Sequence, residues 1–239
     1  MGQLILIPVP LHESDGLYQH PLIRNTVKQA RNVIVESLKM GKRHLNRLGH
    51  SDTQAVDWHL LNEHTNAMDR IQWIHSIAQD EYPWFLMSDA GCPAIADPGT
   101  ELILQAHFNN IHIRIIGVES AITRSIMSSG LSGQRFSFEG YLPIEPRKRI
   151  QKLKELEHAS EIELKAVFFI ETPYRNANLF NDLLQVLKPQ TCLYIGFNFG
   201  ADNELLKTRT VSDWKKTHFQ FPEKAPCTFG IAALALKGL

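Results

Sequence analysis

The sequence predicts an α/β protein built from two compact halves. Three observations carry that reading. Apolar runs of a few residues stop at proline, glycine or polar turns, as strands buried on both faces do; the segments between them place apolar residues at helical spacing; and the rhythm restarts near residue 118. A chain of 239 residues with 44% hydrophobic content can support two cores of roughly 100–150 residues each. The halves are placed at 1–117 and 118–239.

In the first half, Leu4 to Val9 is a continuous apolar run ended by Pro8-Val9-Pro10, a buried parallel strand stopped by proline. Leu22, Ile23, Val27 and Ala30 recur at helical spacing, and Val33-Ile34-Val35-Glu36 reads as a second strand. Met40 to Leu48 is basic. Met68, Ile71, Ile74 and Ile77 mark a helix, Trp84 to Met87 the central strand, Leu102 to Phe108 another helix. Ile111 to Ile116 alternates with His112 and Arg114, as an edge strand would.

The second half opens with small residues from Ser120 to Gly130, a helix suited to close packing. Leu142-Pro143 and Pro146 interrupt the chain before an amphipathic helix through Ile150, Leu153 and Leu156. Val167 to Ile170 is a buried strand, Leu179 to Leu187 a helix and Cys192 to Phe197 a further strand. Lys207 to Val211 and the Trp214 region are expected to add antiparallel β structure, and Thr228 to Leu236 forms the last apolar segment.

Composition excludes several classes. Twenty-five Lys and Arg balance 25 Asp and Glu, so no global positive field announces a nucleic acid, although a local patch is compatible with this balance. Cys92, Cys192 and Cys227 are too scattered for a disulfide framework or paired metal ligands, which fits a reducing cytoplasm. No apolar run reaches the roughly 18 residues needed to span a bilayer, and the start lacks the basic region of a signal peptide. No two histidines stand four apart on a helix, so no metal site is proposed.

The chemistry concentrates between Ser88 and Gly99, directly after the central strand. Two turns, each with an Asp and a Gly, sit where a strand ends, the place where open α/β sheets bind ligands. Gly91 and Gly99 let backbone approach a ligand, and Ser88 and Asp89 offer polar atoms. Taken alone, Asp-Ala-Gly and Asp-Pro-Gly are also ordinary strand-to-helix turns.

This segment resembles the SDAG-x-P-x-x-x-DPG signature of the tetrapyrrole-methylase superfamily, and most resembles the branch that methylates a ribose 2′-hydroxyl of small-subunit ribosomal RNA. Supporting stretches follow in order: Leu6-Ile7-Pro8-Val9-Pro10-Leu11, Glu36 after the second strand, Glu63-His64-Thr65, Gly117 to Thr123, Gly130-Leu131 with Phe138 to Pro143, and Glu171-Thr172-Pro173-Tyr174-Arg175. The departures lie mostly in the second half. Gly196-Phe197-Asn198-Phe199-Gly200-Ala201 stands where the branch carries A-R-E-L-T-K, Ala225-Pro226-Cys227 replaces a glycine-glutamate pair, Tyr174 replaces a histidine and Val118 a proline.

The resemblance implies two α/β domains with a cofactor cleft between them, S-adenosylmethionine as methyl donor, a homodimer, and ribosomal RNA or the small ribosomal subunit as partner. It implies cofactor contacts at Pro8, Ser88, Asp89, Ala90, Gly91, Ala94, Ala96, Asp97, Ser120, Ala121, Thr172 and Pro226. A hydroxyl acceptor also needs a base, for which Glu36 and Glu171 rank ahead of His64 and Glu139. Prolines that end strands and a serine that caps a helix are the structural alternative for several of these positions. Lys39, Lys42, Arg43, Arg147, Lys148 and Arg149 can contact phosphates or form solvated helix faces. Methylation of a tetrapyrrole precursor or other small acceptor is the alternative activity, and a cofactor-binding paralogue without transferase activity is the alternative class.

Overall fold

The computed structural model describes residues 2–12, 16–222 and 224–233, which divide into two compact units, Met1–Ser120 and Ala121–Leu239.

In the first unit the strands are β1 (Gln3–Ile7), β2 (Asn32–Val35), β3 (Asp57–Leu60), β4 (Trp84–Met87) and β5 (His112–Ile115). They form one sheet in the order β3-β2-β4-β1-β5 with every neighbouring pair parallel. Helices α1 (Pro21–Val27), α2 (Leu38–Arg47), α3 (Ala67–Gln79) and α4 (Thr100–Phe108) supply the crossovers. Strand side chains alternate between faces: Ile5, Ile7, Val33, Val35, Phe85 and Met87 pack with Ile23, Val27, Leu45 and Leu48 in one core cluster. Trp84 to Met87 is buried throughout and lies at the centre of the sheet, and β5 lies at its edge. The other edge, β3, is largely exposed and its Asp-Trp-His-Leu sequence has no apolar run to announce it.

The strand order places a topological switch at β4 and β1. The chain leaves β1 for β2 and β3 on one side, returns to β4, and crosses to β5 on the other. At such a point the loops beyond the carboxyl ends of the strands diverge and leave a crevice. The Ser88–Gly99 loop begins there.

The second unit holds α5 (Ala121–Ser129), β6 (Phe136–Tyr141), α6 (Pro146–Glu163), β7 (Ala166–Glu171), α7 (Asn176–Val186), β8 (Cys192–Phe197), β9 (Leu205–Thr210), α8 (Val211–Lys215) and β10 (Cys227–Ala232). Its sheet runs β6-β7-β10-β8-β9, parallel between β6 and β7 and antiparallel elsewhere. Val167, Phe169, Leu193, Ile195, Phe229 and Ile231 form a core with Leu153, Leu156, Leu179 and Leu183 of α6 and α7. The opposite face meets α5 through polar atoms. Ser125 Oγ lies 2.6 Å from Thr228 Oγ1, and Ser128 Oγ 2.8 Å from the Tyr194 hydroxyl.

One expected element is corrected. The Trp214 region is helical, because the Thr210 hydroxyl accepts from the Asp213 N–H at 3.1 Å and starts α8, which turns Trp214 inward to donate to the Leu193 carbonyl at 2.8 Å. β10 ends at Ala232, and residues 234–236 of the predicted last apolar segment lie outside the described residues.

Candidate functional site

In the first unit, the loop after β4 is tied to the ends of β1 and β2. Val9 and Gly91 exchange backbone hydrogen bonds at 2.8 and 3.1 Å, which pins the loop to the chain leaving Pro8. The buried Ser88 hydroxyl reaches the Ala90 and Gly91 carbonyls at 3.2 and 3.1 Å and closes the first turn on itself. Gly91 has φ +79°, where an added Cβ would be strained; the nearest atom it would meet is the flexible Leu11 Cδ2 at 3.2 Å. Ala94 and Ala96 also sit in the left-handed region, at φ 66° and 52°. Each costs about 1–2 kcal/mol relative to ordinary backbone and persists only because the surroundings dictate it.

Asp89 is held from two sides. Its Oδ1 accepts the Ser37 N–H at 3.2 Å, and its carbonyl lies 2.9 Å from His44 Nε2. A carbonyl can only accept, so Nε2 carries the proton and Nδ1, 2.7 Å from the Tyr18 hydroxyl, accepts from it. Burial pushes the His44 pKa down and keeps the ring neutral, as this arrangement requires. Sequence reasoning missed Tyr18, Ser37 and His44.

The Glu36 and Asp97 carboxyl groups interact closely enough to bond through one proton. Two carboxyl groups make such a bond only by sharing a proton. Burial, then the Glu36 charge and this bond, then Asp89, raise the Asp97 pKa from its ordinary 3.8 to about 7. The same burial, with the Asp97 charge, pushes the Cys92 thiol up and leaves it a poor nucleophile.

In the second unit, Ala121, Glu171, Asn198, Phe199, Pro226 and Thr228 line a cavity of about 390 Å³, within the 300–1,000 Å³ typical of small-molecule sites. Three of these were expected from sequence, Ala121, Glu171 and Pro226; Thr172 adjoins them. Glu171 is 2% exposed. Its Oε1 accepts the Thr172 N–H at 2.6 Å and Arg175 Nε at 2.8 Å, whereas Oε2 is buried with no protein partner. A buried carboxylate oxygen without a donor is costly, so a ligand N–H or O–H there would complete its shell. Ser120 is exposed at the end of the first unit.

The other base candidates are occupied or remote. His64 is 85% exposed with only Glu63 beside it at 3.6 Å, and Glu139 is paired with Lys152 at 3.1 Å. Arg149 is a correction: it is buried, its Nε donating to Asp182 Oδ2 at 2.6 Å and its Nη1 to the Ile144 carbonyl at 2.8 Å, so it cannot reach a phosphate.

Comparison with known proteins follows the same direction. No family model matches the chain. The ribosomal RNA small subunit methyltransferase I of Halalkalibacterium halodurans is 30% identical over 190 residues, 78% of this chain and 61% of that protein's length. The protein of the same name from Leptospira biflexa is 30% identical over 197 residues, 82% of this chain and 76% of the relative. This chain belongs to the ribosomal RNA small subunit methyltransferase I family. Among solved structures, uroporphyrin III C-methyltransferase from Thermus thermophilus aligns over 97% of both chains at 11% identity, with a TM-score of 0.36.

The run from Gly196 to Ala201 forms a tight, internally bonded loop. Asn198 sits at φ 54°, and the Gly200 N–H donates to Glu204 Oε1 at 2.8 Å. Glu204 also accepts from Arg124 Nη1 at 3.1 Å in a pair whose side chains are 7% and 10% exposed. Within this family member the loop is therefore closed by a buried ion pair. No sequence spacing announced it, since Arg124 and Glu204 stand 80 residues apart.

Proposed function

We propose that the chain is an S-adenosylmethionine-dependent methyltransferase that modifies a ribose 2′-hydroxyl in small-subunit ribosomal RNA, acting as a homodimer in the cytoplasm. Membership of the family supports the reaction class, and the observation that carries the chemistry is the Glu36–Asp97 pair beside a strained loop at the topological switch point. Loss of a hydroxyl proton needs a nearby acceptor, and the Glu36–Asp97 pair, in which the Asp97 pKa is raised to about 7, can take one up when it is ionised. Among the described residues, no helix is long and apolar enough to cross a membrane.

What supports a cofactor here is the chemistry of the residues within each unit. In the first unit Ser88 to Asp97 provide a rim of polar backbone and side-chain atoms pinned at Gly91; in the second unit, taken by itself, the cavity offers Glu171 Oε2 as an unsatisfied acceptor. When bound, the cofactor supplies a methyl group on a sulfonium. The protein's part is to hold acceptor oxygen, methyl carbon and sulfur in line, worth up to about 10 kcal/mol, and to take up the proton. In this reading Ser88, Asp89, Ala90, Gly91, Ala94, Ala96 and Asp97 with Pro8 form the first-unit bed, and Ser120, Ala121, Thr172 and Pro226 belong to the second set of contacts. Glu36 is the proposed proton acceptor, and Glu171 the second candidate.

The test is tritiated-methyl transfer to hypomethylated small ribosomal subunits and to precorrin-type acceptors, alongside calorimetric titration with S-adenosylmethionine. Label in ribose of the subunit RNA is the expected result. Label in the small acceptor alone, or cofactor binding without any transfer, would overturn it.

A further inference from the structure

The helix that holds Asp89 from behind presents an unusual face in front. Over Leu38–Arg47, α2 reads Leu-Lys-Met-Gly-Lys-Arg-His-Leu-Asn-Arg and contains no acidic residue. At 100° per residue, Lys39, Lys42, Arg43, Asn46 and Arg47 fall within an arc of about 140°, and all five are exposed. Gly41, His44, Leu45 and Leu48 occupy the opposite side and are buried or nearly so. The inward packing is close, because a Cβ at Gly41 would lie 2.6 Å from Val35 Cγ1 and 2.9 Å from Trp58 Cζ3. The outward face therefore has a fixed orientation on a rigid support.

The other basic stretch does not match it. In α6 the cations of the first half, Arg147 to Lys154, are followed by Glu155, Glu157, Glu161 and Glu163 in the second; Lys148 is paired with Glu145 at 2.9 Å, and Arg149 is buried against Asp182.

We propose that the outer face of α2 is a docking surface for the sugar-phosphate backbone of single-stranded RNA. This rests on the reading that the chain modifies RNA, and locates where the polymer is held. Cations on successive turns, about 5.4 Å apart along the axis, match a linear polyanion with regularly repeated charges. Only the flanks are apolar, at the partly exposed Leu38 and half-buried Met40, a smaller surface than a membrane-surface helix buries, and the face has no aromatic anchor of the kind that dominates protein partners. Its inner side touches the loop through His44 and Asp89, so a backbone held on α2 lies one helix thickness from the proposed reaction site.

The experiment is fluorescence anisotropy of a labelled 12-nucleotide single-stranded oligouridylate with the full chain between 50 and 200 mM salt. The doubly substituted Lys39→Glu/Lys42→Glu protein is compared with wild type and with an Arg147→Glu/Lys148→Glu control, and Lys39→Gln/Lys42→Gln repeats the test without introducing acid. The α2 variants should bind at least tenfold more weakly. The slope of log affinity on log salt should fall by about 0.7 for each phosphate that is no longer neutralised, about 1.4 for two. The α6 control should keep the wild-type slope. An unchanged slope in both α2 variants, or an equal loss in the α6 control, would overturn the proposal, as would stronger binding to phosphatidylserine vesicles than to RNA. Calorimetry with S-adenosylmethionine on the same proteins separates the two readings: cofactor binding without α2-dependent RNA binding sinks the surface alone, and α2-dependent RNA binding without cofactor binding sinks the methyltransferase reading.

Discussion

The shared proton between Glu36 and Asp97 makes stability depend on pH in a direction opposite to that of an ordinary salt-bridged carboxylate. The Asp97 pKa is about 7 in the folded chain and near 3.8 when unfolded. Between these values the native state holds a proton that the unfolded chain releases, so stability is greatest in acid and falls as pH rises through 7. Integrated from pH 5 to pH 8, the full shift amounts to about 2.6 kcal/mol; the site is half-buried, and solvent screening leaves about 1–2 kcal/mol. His44 works the other way, since burial lowers its pKa and its contribution is lost as pH falls below the ordinary value of 6.5. The Asp97 effect is therefore read as a difference. Asp97→Asn keeps the shape and donates a permanent N–H to Glu36 without titrating. Urea unfolding of both proteins at pH 5, 6, 7 and 8 should show the variant gaining on wild type by about 1–2 kcal/mol across the range. Parallel profiles would refute the shared proton.

Two further outcomes follow from the same loop. His44→Phe leaves the Asp89 carbonyl and the Tyr18 hydroxyl without their partner; unfolding free energy should fall by about 1–3 kcal/mol, and calorimetric affinity for S-adenosylmethionine should fall with it, whereas a variant that loses stability but binds normally would show that the loop holds without the ring. Gly91→Val should weaken cofactor binding because a β-branched residue is strained at φ +79°, with a stability loss of about 1–2 kcal/mol readable in the same urea titrations, and unchanged affinity would refute it.

What could be read from the sequence follows burial. Trp84 to Met87 announced itself because both faces are covered and all four residues must be apolar. β5, also an edge, was legible through its alternation, whereas β3 and β6 stayed silent: Asp57-Trp58-His59-Leu60 has neither a run nor alternation, and in β6 the alternation from Phe136 to Glu139 breaks at Gly140, where the pairing register shifts. Trp214 was misread as β structure although Thr210-Val211-Ser212-Asp213 carries a helix-start signal, a hydroxyl followed three residues later by an acid. The candidate site divides in the same way. Ser88 to Asp97 are contiguous and legible as a motif, whereas Tyr18, His44 and Asp89 are joined across 26 and 45 residues, and Glu36 meets Asp97 only because β2 and β4 are neighbours in the sheet. Local sequence specifies the loop, and topology chooses its partners.

The second unit builds its cavity wall from a strand glycine and its neighbours. Gly196 stands under α5 where an added Cβ would collide with the Tyr194 hydroxyl and lie 2.9 Å from Phe199 Cζ. That hydroxyl is buried and bonded to Ser128, and burial drives its pKa upward so that it stays protonated. Phe199 lines the cavity, so the small residue in the strand, the tyrosine beneath it and the aromatic wall are one packing unit. The turn that follows is then fixed by Glu204, which takes the Gly200 N–H and Arg124 together. A carboxylate buried to that degree is tolerated only with such partners. From Gly196 to Ala201 the chain therefore forms a preorganised apolar wall on one side of the cavity and a turn closed by a buried ion pair on the other. The first unit, where the proposed methyl-donor loop is pinned by Val9, Ser37 and His44, has its own separate support.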